Sequence, residues 1–185
     1  MTDFTIHTVE TAPAEARPRL QKAQDTLGFV PNLYATMAEA PAVLEGYQTL
    51  AGIFGKTNLS ATEQQIILMT NNVLNGCGYC MAAHTTIARG QEVPEDVIQA
   101  LRNATPIADA KLEALRTFAT TVNETRGNPK DSDIEALLSA GYTKQTVFEV
   151  VLGTAFKVLS NYTNHIAETP VDGAFASNAW TKPKA

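Results

Sequence analysis

Two cysteines and a histidine stand close enough in the chain to act together. They are Cys77, Cys80 and His84, within Asn75-Gly76-Cys77-Gly78-Tyr79-Cys80-Met81-Ala82-Ala83-His84. If a helix starts near Gly76, the three fall at i, i+3 and i+7 and share one face. A Cys-x-x-Cys pair at a helix start has a chemical use, because the free N–H groups and the positive dipole end favour thiolate over thiol. Thiol pKa values there fall from about 8.5 into a range of about 3.5 to 7.5. A thiolate that attacks a peroxide becomes a sulfenic acid, and a cysteine one turn away condenses with it to a disulfide before further oxidation. His84, one turn beyond Cys80, is placed to act as its base and later as an acid. Zinc is the competing use, since Cys-x2-Cys is half of a tetrahedral site. No second Cys or His pair stands at the usual spacing, only the distant His165 and His7, so no metal is expected.

The elements that must position this segment read as helices. Pro18 to Leu27 is closed by Gly28, and Pro31-Asn32 opens a short piece to Ala40, the usual Pro-in, Gly-out punctuation. Pro41 to Phe54 follows. Ser60-Ala61-Thr62-Glu63 is a capping box, and Ile66, Met69, Val73 and Leu74 recur behind it at helical spacing. Asn75-Gly76 breaks that helix, Cys77 to Arg89 forms the next, and Gly90 stops it. Pro94 to Ala100, Asp109 to Thr125 and Ser132 to Ala140 are further amphipathic pieces. The last, Thr143 to Ala167, puts Val147, Val151, Thr154, Val158, Asn161 and His165 on one stripe. No strand-period run competes, so the fold class is all-α. Residues 1 to about 17 read as an extended arm, and Thr169 to Ala185 as an irregular strap that packs Phe175 and Trp180 on the surface.

Composition narrows the function classes. A length of 185 residues implies one domain, 1–185. The 18% charged fraction lies below the roughly 25% of average soluble proteins, as expected where copies of a chain cover part of one another. Fourteen basic against nineteen acidic residues give a net charge of −5, and no Lys/Arg run interrupts that balance, which argues against a nucleic-acid partner. Two cysteines are too few for a disulfide-stapled secreted domain. Met1-Thr2-Asp3-Phe4-Thr5 has neither a basic nor an apolar leader, and no apolar run approaches the roughly 18 residues of a membrane span. The expectation is a cytoplasmic protein with no membrane partner, where a thiol pair can cycle.

Leu59-Ser60-Ala61-Thr62-Glu63-Gln64-Gln65, followed by Cys77-Gly78-Tyr79-Cys80 and His84, closely resembles the alkylhydroperoxidase D-like (AhpD-like) branch of the carboxymuconolactone decarboxylase superfamily. Gly28-Phe29-Val30-Pro31-Asn32 and Asn161-Tyr162-Thr163-Asn164-His165-Ile166-Ala167 resemble the flanking signatures of its peroxidase-related members. The resemblance implies a helical, thiol-dependent peroxidase or disulfide reductase of antioxidant defence. Its partners would be a hydroperoxide or disulfide substrate and an external thiol reductant, with no metal or organic cofactor. It also implies a homo-oligomer, a trimer or hexamer, with a dimer as the alternative. In that family the second cysteine, here Cys80, attacks and the first, Cys77, resolves. Helix-terminus position alone favours Cys77 instead, whereas the histidine one turn away favours Cys80. Lactone decarboxylation, the superfamily's other activity, generally does without the pair. A redox-responsive relative without turnover is the non-enzymatic alternative.

Two positions depart from the family pattern. The glutamate expected twelve residues before the first cysteine is Gln65, which can orient His84 by a hydrogen bond but not stabilise its imidazolium with a full charge. Tyr79 stands where the proton-relay version carries a histidine. Glu63 is the nearest carboxylate, but its capping role accounts for it. His165, on the stripe of the last helix, reads as a core or interface histidine, with a contribution to the active pocket as the alternative, and Asn161 and Tyr162 share both readings. Trp180 and the phenylalanines read as packing, and His7 as exposed.

Overall fold

The computed structural model describes residues 3–183, so Met1 and Thr2 of the arm and Lys184 and Ala185 of the tail lie outside the described residues. These form α1 (Arg17–Leu27), α2 (Asn32–Met37), α3 (Pro41–Phe54), α4 (Ala61–Asn75), α5 (Gly78–Gly90), α6 (Glu95–Arg102), α7 (Ala110–Glu124), α8 (Asp131–Ser139) and α9 (Lys144–Ile166). A short 3₁₀ helix, Gly173–Asn178, interrupts the C-terminal strap, and no strand occurs among the described residues. The fold is all-α.

Helix α4 is the hub, packed against α5, α6, α7 and α9. Its start is the capping box: Ser60 Oγ accepts from the Glu63 N–H at 3.2 Å, and the Glu63 carboxylate accepts from the Ser60 N–H at 2.8 Å. Every residue from Gln65 to Val73 is buried, as expected of a helix enclosed on all sides. Asn75 ends it, and Gly76 turns the chain at φ +71°, a conformation that Gly adopts without a Cβ penalty. Cys77 follows as the N-cap of α5, its sulfur accepting from the Cys80 N–H at 3.4 Å. The helix therefore begins one residue later than the spacing predicts, with Cys77 capping the first turn rather than lying in it.

Helix α9 departs more from its reading. Its buried face carries Thr146, Glu149, Val150, Gly153, Phe156, Lys157, Ser160, Asn161 and Asn164, while Phe148, Val151, Tyr162 and Ile166 are exposed. The stripe read from hydropathy is rotated away from this face, and His165 is exposed rather than in the core. The cause is physical: apolar periodicity locates a core-facing stripe only when the inward face is apolar, and this one is mostly polar.

The strap is tied down at several points. The Asp172 carboxylate accepts from the Asn32 N–H at 3.0 Å and from the Tyr79 hydroxyl at 2.6 Å. Trp180 Nε1 donates to the Arg102 carbonyl at 2.8 Å, and the Trp180 carbonyl runs so close to Gly78 that a Cβ there would sit 3.0 Å from it. In the arm, His7 is half-buried rather than exposed, because Nε2 pairs with Glu39 Oε2 at 2.8 Å. No helix among the described residues is long and apolar enough to cross a membrane.

Candidate active site

Cys77 and Cys80 are both free thiols, buried between the start of α5 and the inward face of α9. Lys157, Ser160, Asn161 and Asn164 lie at i, i+3, i+4 and i+7 and so present together. Asn164 Nδ2 donates to Cys80 Sγ at 3.2 Å and more weakly to Cys77 Sγ at 3.8 Å, while Ser160 Oγ lies 3.7 Å from Cys80 Sγ. An amide ladder backs them: Asn75 Nδ2 donates to Asn161 Oδ1 at 2.8 Å, and Asn161 Nδ2 donates to Asn72 Oδ1 at 3.0 Å.

This environment separates the two thiols. Burial resists ionisation of Cys80, but the Cys77 thiol, the Lys157 charge, Ser160 and Asn161 outweigh it and pull Cys80 down to about 5. Cys77 moves the opposite way, pushed up by its hydrogen bond to Cys80, by burial and by the neighbouring thiolate charge. The helix-terminus argument for Cys77 is thereby outweighed. The N-cap geometry spends the backbone N–H on Cys77 Sγ, while the side-chain donors and the cation of α9 gather on Cys80.

His84 sits inside a chain of hydrogen bonds. Gln65 Nε2 donates to Gln91 Oε1 at 2.9 Å, which leaves Gln65 Oε1 to accept from His84 Nδ1 at 2.9 Å. Nδ1 therefore carries the ring proton and Nε2 the lone pair, which accepts from Lys157 Nζ at 3.0 Å. Burial, reinforced by the Lys157 charge, holds His84 well below its usual pKa, so the ring is neutral. Gln65 reaches the histidine and Glu63 does not, its carboxylate being bonded to Ser60. The expected direct partnership of His84 with Cys80 is not what its hydrogen bonds show, since both ring nitrogens are taken by Gln65 and Lys157.

A cavity of about 250 Å³ opens onto these groups. Phe29, Leu33, Tyr34, Tyr47, Ile87 and Phe175 supply much of its wall, and Cys80, His84 and Lys157 lie in the lining while Cys77 does not. Phe29 and Phe175 thus do more than pack against the body. Tyr79 also lines the cavity, its hydroxyl fixed by Asp172 and by the Leu33 N–H at 3.2 Å; burial first, and then the bond to Asp172, push its pKa up. Tyr79 is thereby a tether between α5, α2 and the strap. Among the described residues no group of three or more Cys, His, Asp or Glu could hold a metal ion.

Sequence reasoning missed Lys157. A lysine inside a long helix reads as a solvent-facing charge, yet this side chain is 0% exposed. The available signal was the shared spacing of Lys157, Ser160, Asn161 and Asn164 on a helix whose other side carries Phe148, Val151, Tyr162 and Ile166.

The all-α fold carries its Cys-x-x-Cys pair at a helix start, and known proteins share that fold. Residues 41–121, from α3 into α7, match the model of the carboxymuconolactone decarboxylase family. Among solved structures, an alkylhydroperoxidase AhpD core, an uncharacterised peroxidase-related protein from Ralstonia eutropha JMP134, superposes with a TM-score of 0.83 at 25% identity, over 95% of this chain and 96% of that one. A peroxidase-related protein from Silicibacter sp. TM1040 gives 0.78 at 20% identity, over 94% and 95% of the two chains. A cysteine-to-alanine variant of the debrominase Bmp8, in complex with 2,3,4-tribromopyrrole, gives 0.78 at 20% identity over 96% of each chain. No curated protein matches at a significant level. The stretch that matches the carboxymuconolactone decarboxylase family model is less than half of the chain, while the similarity to the AhpD core structure extends over nearly all of it.

Proposed function

We propose that this protein is a thiol-dependent peroxidase or disulfide oxidoreductase in which Cys80 attacks and Cys77 resolves. The observation that carries the reading is the convergence of the Asn164 amide, Ser160 and the Lys157 charge on Cys80, the one cysteine that lines the cavity. Gln65 orients His84, and His84 holds Lys157. The external reductant is a dithiol that restores both cysteines, and the cycle uses no metal or organic cofactor.

The same reading makes residues 1–185 one domain, cytoplasmic and self-associating as a trimer or hexamer. The outward face of α9 supports the last point, since Phe148 is 73% and Ile166 69% exposed. Sedimentation of the purified chain tests it, and a strict monomer counts against it.

The activity is tested by adding one equivalent of organic hydroperoxide to the reduced protein and titrating free thiols. Loss of both thiols per chain, reversed by dithiol, supports the reading. Two thiols retained would overturn it.

A further inference from the structure

Lys157 is 0% exposed and belongs to none of the carboxylate ion pairs among the described residues. A buried ammonium needs a counter-charge, because desolvation of an unpaired ion is costly. The titratable groups that share the cavity wall with it are Tyr34, Tyr47, Tyr79, Cys80 and His84. Burial holds the tyrosines in their neutral form and His84 stays uncharged. Cys80 is the only one of them left to supply an anion. Lys157 Nζ is held 3.0 Å from His84 Nε2 and lies 5.3 Å from the centroid of the Phe156 ring. Gln65, His84 and Lys157 thus form one hydrogen-bonded chain that ends on the Lys157 amine at the cavity wall.

We infer that Lys157 is the catalytic acid of the site, donating its proton to the oxygen that leaves when the Cys80 thiolate attacks a hydroperoxide. The inference rests on the peroxidase reading above. The Cys80 sulfur forms a bond to the distal oxygen of ROOH as the O–O bond breaks, leaving Cys80 as sulfenic acid and releasing RO⁻. That alkoxide takes a proton from the Lys157 ammonium, giving ROH and a neutral amine. The Cys77 thiol then condenses with the sulfenic acid, forming the disulfide and one water. When an external dithiol reduces the disulfide, being itself oxidised to a disulfide, Cys80 returns as a thiol and hands its proton to Lys157. Thiolate and ammonium are both restored. His84 is the positioning residue, its fixed tautomer presenting a lone pair that fastens the amine.

The test uses the full chain, as wild type and as Lys157→Met, with Lys157→Gln as a variant that keeps a donor toward His84 without the charge. Three single-turnover rates of the reduced protein are compared across pH and corrected to thiolate content. They are alkylation by iodoacetamide, oxidation by an alkyl hydroperoxide, and oxidation by a peracid whose carboxylate leaving group needs no proton. General acids contribute about 10²–10⁴-fold. The inference expects both variants to lose about a hundredfold or more with the alkyl hydroperoxide, and to keep thiolate-corrected alkylation and peracid rates close to wild type. Equal losses in all three reactions would assign Lys157 a structural or thiolate-stabilising role and overturn the inference, as would unchanged alkyl hydroperoxide rates. A wild type that alkylates normally but reacts with no hydroperoxide overturns the peroxidase reading itself, a result distinct from either of those.

Discussion

Gln65 Oε1 accepts the Nδ1 proton of His84 at 2.9 Å, so a neutral amide rather than a carboxylate sets the tautomer of the histidine. Replacing Gln65 by Leu leaves a buried N–H without an acceptor, at a cost of about 1–3 kcal/mol. Denaturant unfolding checks this as a lowered midpoint with an unchanged slope. Gln65→Glu places a negative charge beside His84 and raises the pKa of the histidine, which ring-proton NMR across a pH series detects.

The proposed division of labour between the cysteines predicts opposite variants. Cys80→Ser should abolish reaction with hydroperoxide. Cys77→Ser should react once and stop at a sulfenic acid, which dimedone traps and mass spectrometry locates on Cys80. The reverse pattern would exchange the two roles. Lactone decarboxylation, if it occurred, would survive the double serine variant.

The thiolate also titrates in a defined window. Burial opposes ionisation of Cys80, and Cys77, Lys157, Ser160 and Asn161 together pull its pKa down to about 5. Alkylation of Cys80 therefore rises with a midpoint near pH 5 rather than near the roughly 8.5 of a free thiol. The folded value lies below the unfolded one, so the thiolate adds stability that is complete above about pH 8.5 and lost as pH falls toward 5. The stability difference between wild type and Cys80→Ser should shrink across that window. A difference independent of pH would contradict the assignment.

Asn164 supplies the shortest hydrogen bond to Cys80 Sγ, at 3.2 Å. Hydrogen bonds to charged groups contribute about 1.5–3 kcal/mol, and one pKa unit corresponds to about 1.4 kcal/mol. Asn164→Leu is therefore expected to raise the Cys80 midpoint by about one unit or more. The pH dependence of alkylation reads the shift directly.

Packing that brings α9 to the cysteines has its own weak point. A Cβ on Gly153 would lie 2.6 Å from Ile67 Cγ2 and 2.8 Å from Phe54 Cε2. Gly153→Ala is expected to cost about 1–3 kcal/mol, read as a lower melting temperature, because overpacking forces α9 away from α3 and α4.

How much of this was legible in the sequence follows from what each signal depends on. Helix boundaries rest on local chemistry, so Ser60 with Glu63, Gly76 and Gly28 mark them without knowledge of the fold. Cys77, Cys80, His84 and Gln65 were legible as a group through spacing and family resemblance. Lys157, Ser160 and Asn164 were not, because a polar helix face reads as solvated unless something shows that it is turned inward. The cavity wall escaped for another reason: Phe29, Tyr47, Ile87 and Phe175 come from four separate segments, and only tertiary packing brings them together.

The central claim, that Cys77 and Cys80 form one redox couple driven by hydroperoxide, is tested most directly by the mass of the tryptic fragment Thr57–Arg89, which contains both cysteines. After one equivalent of hydroperoxide, that fragment should weigh less by two hydrogens and return to its original mass with dithiol. A fragment that keeps its dithiol mass while the peroxide persists would contradict the account.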